Sequence, residues 1–117
     1  MIRNYVLNSG LKKIWCMVGG KKENNESFDK TITRKIKEEM NIKISNVKLL
    51  LISPSHDSDI HFYHGKLTDN DVNLIERAEG QELQFFNLKE LDKLQLTSSA
   101  NFFFTRHRNT VEELLVN

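Results

Sequence analysis

From about Ser27 the apolar residues fall at Phe28, Ile32, Ile36 and Met40, a four-residue spacing that drifts slowly around a helix axis. The stripe predicts one amphipathic helix with a single buried face. Asn41 suits its end, because asparagine tolerates the left-handed backbone that a helix C-cap often requires. Just before the helix come Gly19-Gly20 and a polar stretch to Asn25, so the chain enters it through a glycine turn.

The flanking runs supply strands. Tyr5-Val6-Leu7 and Ile14 to Val18 are β-prone and separated by Asn8-Ser9-Gly10, which predicts a hairpin. Val47 to Ile52 is dense in apolar residues and reads as a buried strand, and Ile60 to Leu67 follows after a polar loop from Ser53 to Asp59. Asn73-Leu74-Ile75 and Leu83 to Phe86 read as further short strands, Leu88 to Leu94 as a helical turn. Asn101 to Val116 contains a final helix with Val111, Leu114 and Leu115 inward. Strands on both sides of a helix, closed by another helix, predict an α/β (α+β) fold with a mixed sheet flanked by helices.

At 117 residues the chain fits one domain, 1–117, able to bury a core without disulfides or structural metals. Its 17 Lys and Arg against 16 Asp and Glu leave a net charge of +1, so nothing global attracts a polyanion and no nucleic-acid partner is expected. The composition is that of a water-soluble domain rather than a membrane chain. A lone cysteine, Cys16, and the lack of a secretory-type apolar start point to a cytoplasmic address. Cys16 itself reads as a small apolar strand residue.

On the predicted helix, Glu38 and Glu39 follow Lys35 by three and four residues, so all three share one flank. Adjacent carboxylates beside a glycine turn can hold Mg²⁺ or Mn²⁺, which prefer oxygen ligands. Alone, Lys-x-x-Glu-Glu would be read as an exposed helix end with ordinary ion pairs. It is not alone. Gly20-x5-Glu26-x7-Arg34-Lys-Ile36-x-Glu38-Glu39-x-Asn-Ile42 resembles the Nudix box, Gly-x5-Glu-x7-Arg-Glu-U-x-Glu-Glu-x-Gly-U with U bulky and aliphatic, at seven of nine specified positions. Trp15 and Gly19 are similar to the family's approach to the box, with Val18 where proline is usual, and Glu23 fits its common opening. Downstream, Glu79-Gly80-Gln81, Phe85-Phe86 and Glu90-Leu91 resemble a frequent family segment, so the likeness covers about residues 5 to 94.

The resemblance implies a Nudix-like α/β/α sandwich and a divalent-cation-dependent hydrolase of a nucleoside diphosphate linked to another moiety. Carried over by position, Glu38 and Glu39 would bind Mg²⁺ or Mn²⁺ with the Gly19 carbonyl and Glu79. Arg34 would orient the box glutamates, and Glu26 would be a structural partner at the helix entrance. The partner implied is a small-molecule nucleotide. Family members usually place a further strand before the Tyr5 to Val18 equivalent, so the N-terminal strand reads as missing. An uncovered sheet edge recruits partners, so the short start predicts a homodimer or a shortened family member.

Two positions depart from the box. Asn41 for glycine keeps the backbone turn. Lys35 replaces a glutamate and shifts the local charge by two units toward positive; near 4 Å, in a surface-like dielectric, such an ammonium disfavours a cation by about 4 kcal/mol before it swings away. The lysine can instead extend to a substrate phosphate or pair with Glu39. Two readings therefore stand: a weakened hydrolase, or an impaired Nudix-like domain that binds a nucleotide or a protein.

Smaller candidates read more plainly. His61 and His64, three apart on a strand, point to opposite faces and do not share a metal. These two and His56-Asp57 read as solvated residues, with a substrate mouth opposite the box as the other reading. Arg106-His107-Arg108, neutralised by Glu112 and Glu113, reads as a solvated face, and Phe102-Phe103-Phe104 as core packing.

Overall fold

The computed structural model describes residues 5–9, 14–44, 46–54, 59–77 and 83–116. They fall in two compact units, one drawn from 1–18 with 79–117 and the other from 19–78. The architecture is α+β, with helices and antiparallel strands in alternation.

In the first unit, strands β1 (Tyr5–Ser9), β2 (Trp15–Met17) and β5 (Leu83–Phe86) form a sheet of order β2-β1-β5. Both ladders are antiparallel, and among the described residues the parallel component is one bridge, from Trp15 to Leu96. The expected hairpin is present, but its first strand runs through Asn8 and Ser9. Those two residues pair with Cys16 and Trp15, so ladder pairing overrides their turn preference. Gly10 lies outside the described residues.

Trp15 anchors this unit. Its N–H donates to the Gln95 carbonyl at 2.9 Å and its carbonyl accepts from Thr97 N–H at 3.0 Å, while its buried ring meets Phe86 edge-on at 4.9 Å. Helix α3 (Leu88–Leu91) is opened by a reciprocal cap between Asn87 and Glu90.

The closing segment is two helices rather than one: α4 (Ser98–Arg106), capped by Thr97, and α5 (Arg108–Val116). They break at His107, whose backbone leaves helical geometry at φ −111° and ψ 25°. Val111 is fully buried as expected, whereas Leu114 and Leu115 are half-buried. Of the phenylalanine triplet, Phe103 and Phe104 are core and Phe102 is exposed beneath Arg106. Arg108 is less a solvated cation than a strut: its guanidinium holds Asp92 at 2.8 and 3.2 Å and reaches Glu112 at 3.3 Å. The same pairing holds the Asp92 carboxyl below the usual range.

In the second unit, helix α1 (Phe28–Met40) is followed by the antiparallel pair β3 (Lys48–Ser53) and β4 (Ile60–His64), then helix α2 (Asp69–Arg77). The β3 run is not uniformly buried: Leu49 and Ile52 are exposed, because a register irregularity between Leu49 and Leu51 turns the pleat and one face of the pair stays open. β4 stops at His64, short of Leu67. Gly65 follows, with the Ile44 side chain only 3.1 Å from where a Cβ would stand.

Asn73-Leu74-Ile75 belongs to α2, not to a strand. Thr68 and Asp71 cap each other reciprocally, Thr68 N–H to Asp71 Oδ2 at 3.0 Å and Asp71 N–H to Thr68 Oγ1 at 3.1 Å. That cap and the acids of the first turn start a helix that buries Ile75.

α1 begins on Ser27, whose hydroxyl accepts from Lys30 N–H, and ends on Asn41, which sits at φ 57° and ψ 34° and donates its N–H to Lys37. A β-carbon in this left-handed region carries a penalty of about 1–2 kcal/mol that asparagine partly relieves. Asn41→Ala is expected to lower stability by about 1 kcal/mol, and Asn41→Gly to leave it unchanged or slightly raised, by urea denaturation.

Candidate functional site

The box folds as a glycine turn, a polar loop and α1, all within the second unit. Its apolar stripe is rotated from the simple spacing: Thr31, Ile36 and Met40 are buried, Ile32 is half-buried and Phe28 is 40% exposed. Phe28 turns out to stack on His61, with centroids 3.6 Å apart and planes within 7°. One residue on, Asp29 accepts from the Tyr63 hydroxyl at 2.8 Å. Burial, with this hydrogen bond to Asp29, pushes the Tyr63 phenol up to about 12, so it remains a donor. These contacts pin the start of α1 to β4 and were not visible in the sequence, since no local pattern joins residues more than thirty apart. His61 is thus a packed residue; His56 and Asp57 lie outside the described residues.

The loop is fastened to α1 by a series of direct contacts. Gly19 N–H donates to Glu39 Oε2 at 3.0 Å, bringing these two predicted ligands together. Gly19 has φ 157°, in a region that favours glycine. Arg34 grips Glu26 with two hydrogen bonds, Nε to Oε2 at 2.6 Å and Nη2 to Oε1 at 3.0 Å, and reaches the Lys21 carbonyl at 3.4 Å. Its Nη1 also meets Glu38 Oε1 at 3.1 Å and Glu23 Oε1 at 3.5 Å.

Glu26 also accepts from Glu23 N–H and from the Thr31 hydroxyl. The Arg34 pairing and then the Glu23 N–H hold the Glu26 carboxyl down from 4.5 to about 2, and Arg34 is raised in return. A carboxyl that is more acidic folded than unfolded stabilises the fold fully above about 4.5, and that contribution disappears as the pH falls toward 2. Urea midpoints of the native chain should therefore drop across this window, and those of Glu26→Gln should drop less. Parallel pH profiles would contradict the assignment.

Glu38 is held between two cations: beyond Arg34, Lys35 Nζ approaches its second oxygen, Oε2, at 3.6 Å. The Lys35 stem lies along the loop, its Cε and Nζ occupying the space where a Cβ on Gly20 would stand. Any side chain at position 20 would displace it.

Of the four predicted metal ligands, then, Gly19 and Glu39 are in contact, Glu38 adjoins them in sequence but is paired to Arg34 and Lys35, and Glu79 lies outside the described residues. Among the described residues, no three acidic, histidine or cysteine side chains gather as a metal would require. The donor chemistry nevertheless fits a hard divalent ion, with two neighbouring carboxylates and a glycine turn. Against it stands charge, since both Arg34 and Lys35 pair with Glu38.

The class defined here is an α+β domain with a glycine loop clasped to a glutamate-bearing helix through an arginine. The family model described as NUDIX domain matches residues 1–106, and the chain belongs to the Nudix hydrolase family, whose members generally use divalent cations. No curated protein matches the chain. No helix among the described residues is long and apolar enough to cross a membrane.

Proposed function

We propose that the chain is a Nudix-type hydrolase of a nucleoside diphosphate linked to another moiety, dependent on Mg²⁺ or Mn²⁺ and weakened by Lys35. The observation that carries the reading is the Gly19 to Glu39 hydrogen bond beside Glu38, inside a box whose Arg34 fork is in place. In this reading Glu38, Glu39, the Gly19 carbonyl and Glu79 hold the ion. The bound ion supplies charge neutralisation at the diphosphate and a more acidic water. The chain's own residues do the positioning: Arg34 fixes the loop through Glu26 and steers Glu38, and Glu39 fixes Gly19.

A second reading is favoured by one contact, Lys35 Nζ to Glu38: a catalytically impaired Nudix-like domain that binds a nucleotide or a protein partner. A panel of oxidised nucleotides, nucleotide sugars, dinucleoside polyphosphates and ADP-ribose separates the two. The hydrolase reading expects release of phosphate, pyrophosphate or nucleoside monophosphate with Mg²⁺ or Mn²⁺. Silence across the panel, with turnover appearing only in Lys35→Glu, selects the second. The single-domain organisation, cytoplasmic address and homodimer belong to the same proposal, and light scattering showing a monomer would remove the last.

A further inference from the structure

The loop and the box face of α1 carry Lys21, Lys22, Arg34 and Lys35 with Glu23, Glu26, Glu38 and Glu39, four charges of each sign, of which Arg34 meets Glu23, Glu26 and Glu38 and Lys35 meets Glu38. With glutamate at position 35 the same group would carry two excess negative charges, the amount one divalent ion neutralises. With lysine the group is neutral by itself. The loop is also already closed by protein contacts, through Gly19 to Glu39, Lys21 to Arg34 and Glu23 to Arg34.

The Lys35 ammonium is not consumed by these contacts. Its side chain keeps 26% exposure, and the 3.6 Å approach to Glu38 is an ion pair beyond good hydrogen-bond length. An ammonium has three donors and binds phosphate oxygens as a point charge. The Gly20 backbone beneath its stem bears no side chain to block approach.

We infer that Lys35 is the resident cation of this site, so that the chain binds a nucleoside diphosphate without any divalent metal. The inference rests on the nucleotide reading above and adds to it the separation of binding from metal loading: the ammonium meets the diphosphate oxygens, while hydrolysis still requires Mg²⁺ or Mn²⁺. Metal then governs turnover more than affinity.

The test is calorimetry of the full chain with ADP and with inorganic pyrophosphate, each in EDTA and in Mn²⁺. The native chain should bind both in EDTA, with affinity changed less than about threefold by Mn²⁺. Lys35→Met should weaken binding in EDTA by about tenfold or more, the scale of a lost hydrogen bond to a charged group. Lys35→Arg, which keeps the charge, should restore most of it, and Lys35→Glu should bind only with Mn²⁺. Matching thermal melts for the native chain and Lys35→Arg guard against a folding defect in either. Binding by the native chain in Mn²⁺ but not in EDTA overturns the inference and leaves the nucleotide reading standing. Equal binding by Lys35→Met and the native chain in EDTA also overturns it. No binding under either condition overturns both.

Discussion

Lys35→Glu is expected to lower the Mn²⁺ concentration for half-maximal hydrolysis by about tenfold or more and to raise turnover at low metal. The cause is charge. In the native chain an ammonium lies 3.6 Å from Glu38 Oε2, and Arg34 holds the other oxygen of that carboxylate. A unit charge at such a distance is worth about 4 kcal/mol in a surface-like dielectric. Screening and motion of a flexible stem reduce this, yet a third of it is still a factor of about ten. The substitution also removes the clamp on Glu38 and adds an oxygen donor. Titrating Mn²⁺ against turnover for both chains measures the effect, and superimposable curves would remove Lys35 from any account of metal affinity.

Phe103→Ala is expected to destabilise the fold by about 3–5 kcal/mol, a large share of what a small domain has. Phe103 keeps 1% exposure, packs edge-on against Phe104 at 5.2 Å and meets His107 at a tilt, 5.6 Å away. Truncating it leaves a cavity on the side of α4 from which the chain turns into α5. Its neighbour Phe102 is half exposed and makes a long contact with Arg106, so Phe102→Ala should lose less than about 1 kcal/mol. Urea denaturation of the pair distinguishes core from surface within one triplet; similar losses would contradict the packing described.

Much of the box was legible because its signals are local. The four-residue spacing gave α1 within a residue at its start, and Asn41 marked its end for a backbone reason that the left-handed cap bears out. Leu83 to Phe86 is likewise the strand its composition suggested.

The rest depended on contacts that sequence order hides. Leu74 and Ile75 have strand-like propensity, and the signal that outweighed it, Thr68-x-x-Asp71, stood six residues upstream as a capping pair. Phe28 fits the buried stripe by spacing and leaves it for His61, a partner supplied by a strand far along the chain. The break at His107 has no proline or glycine to announce it. At the site, the sequence placed Lys35 beside Glu38 and Glu39 but not on Gly20; the carboxylates divide instead, Glu39 to the Gly19 N–H and Glu38 to Arg34 and Lys35. Helical spacing tells which residues are neighbours, and the loop contacts decide which of them turn toward each other.

The claim on which the functional account stands is that the Gly19 turn and the acidic end of α1 together hold a divalent ion. Anomalous diffraction from Mn²⁺-soaked crystals of the native chain and of Lys35→Glu addresses it directly. The account predicts a manganese peak against Glu39 and the Gly19 carbonyl, strong in Lys35→Glu and weaker in the native chain at the same concentration. Crystals of both chains with no manganese at that position would contradict it.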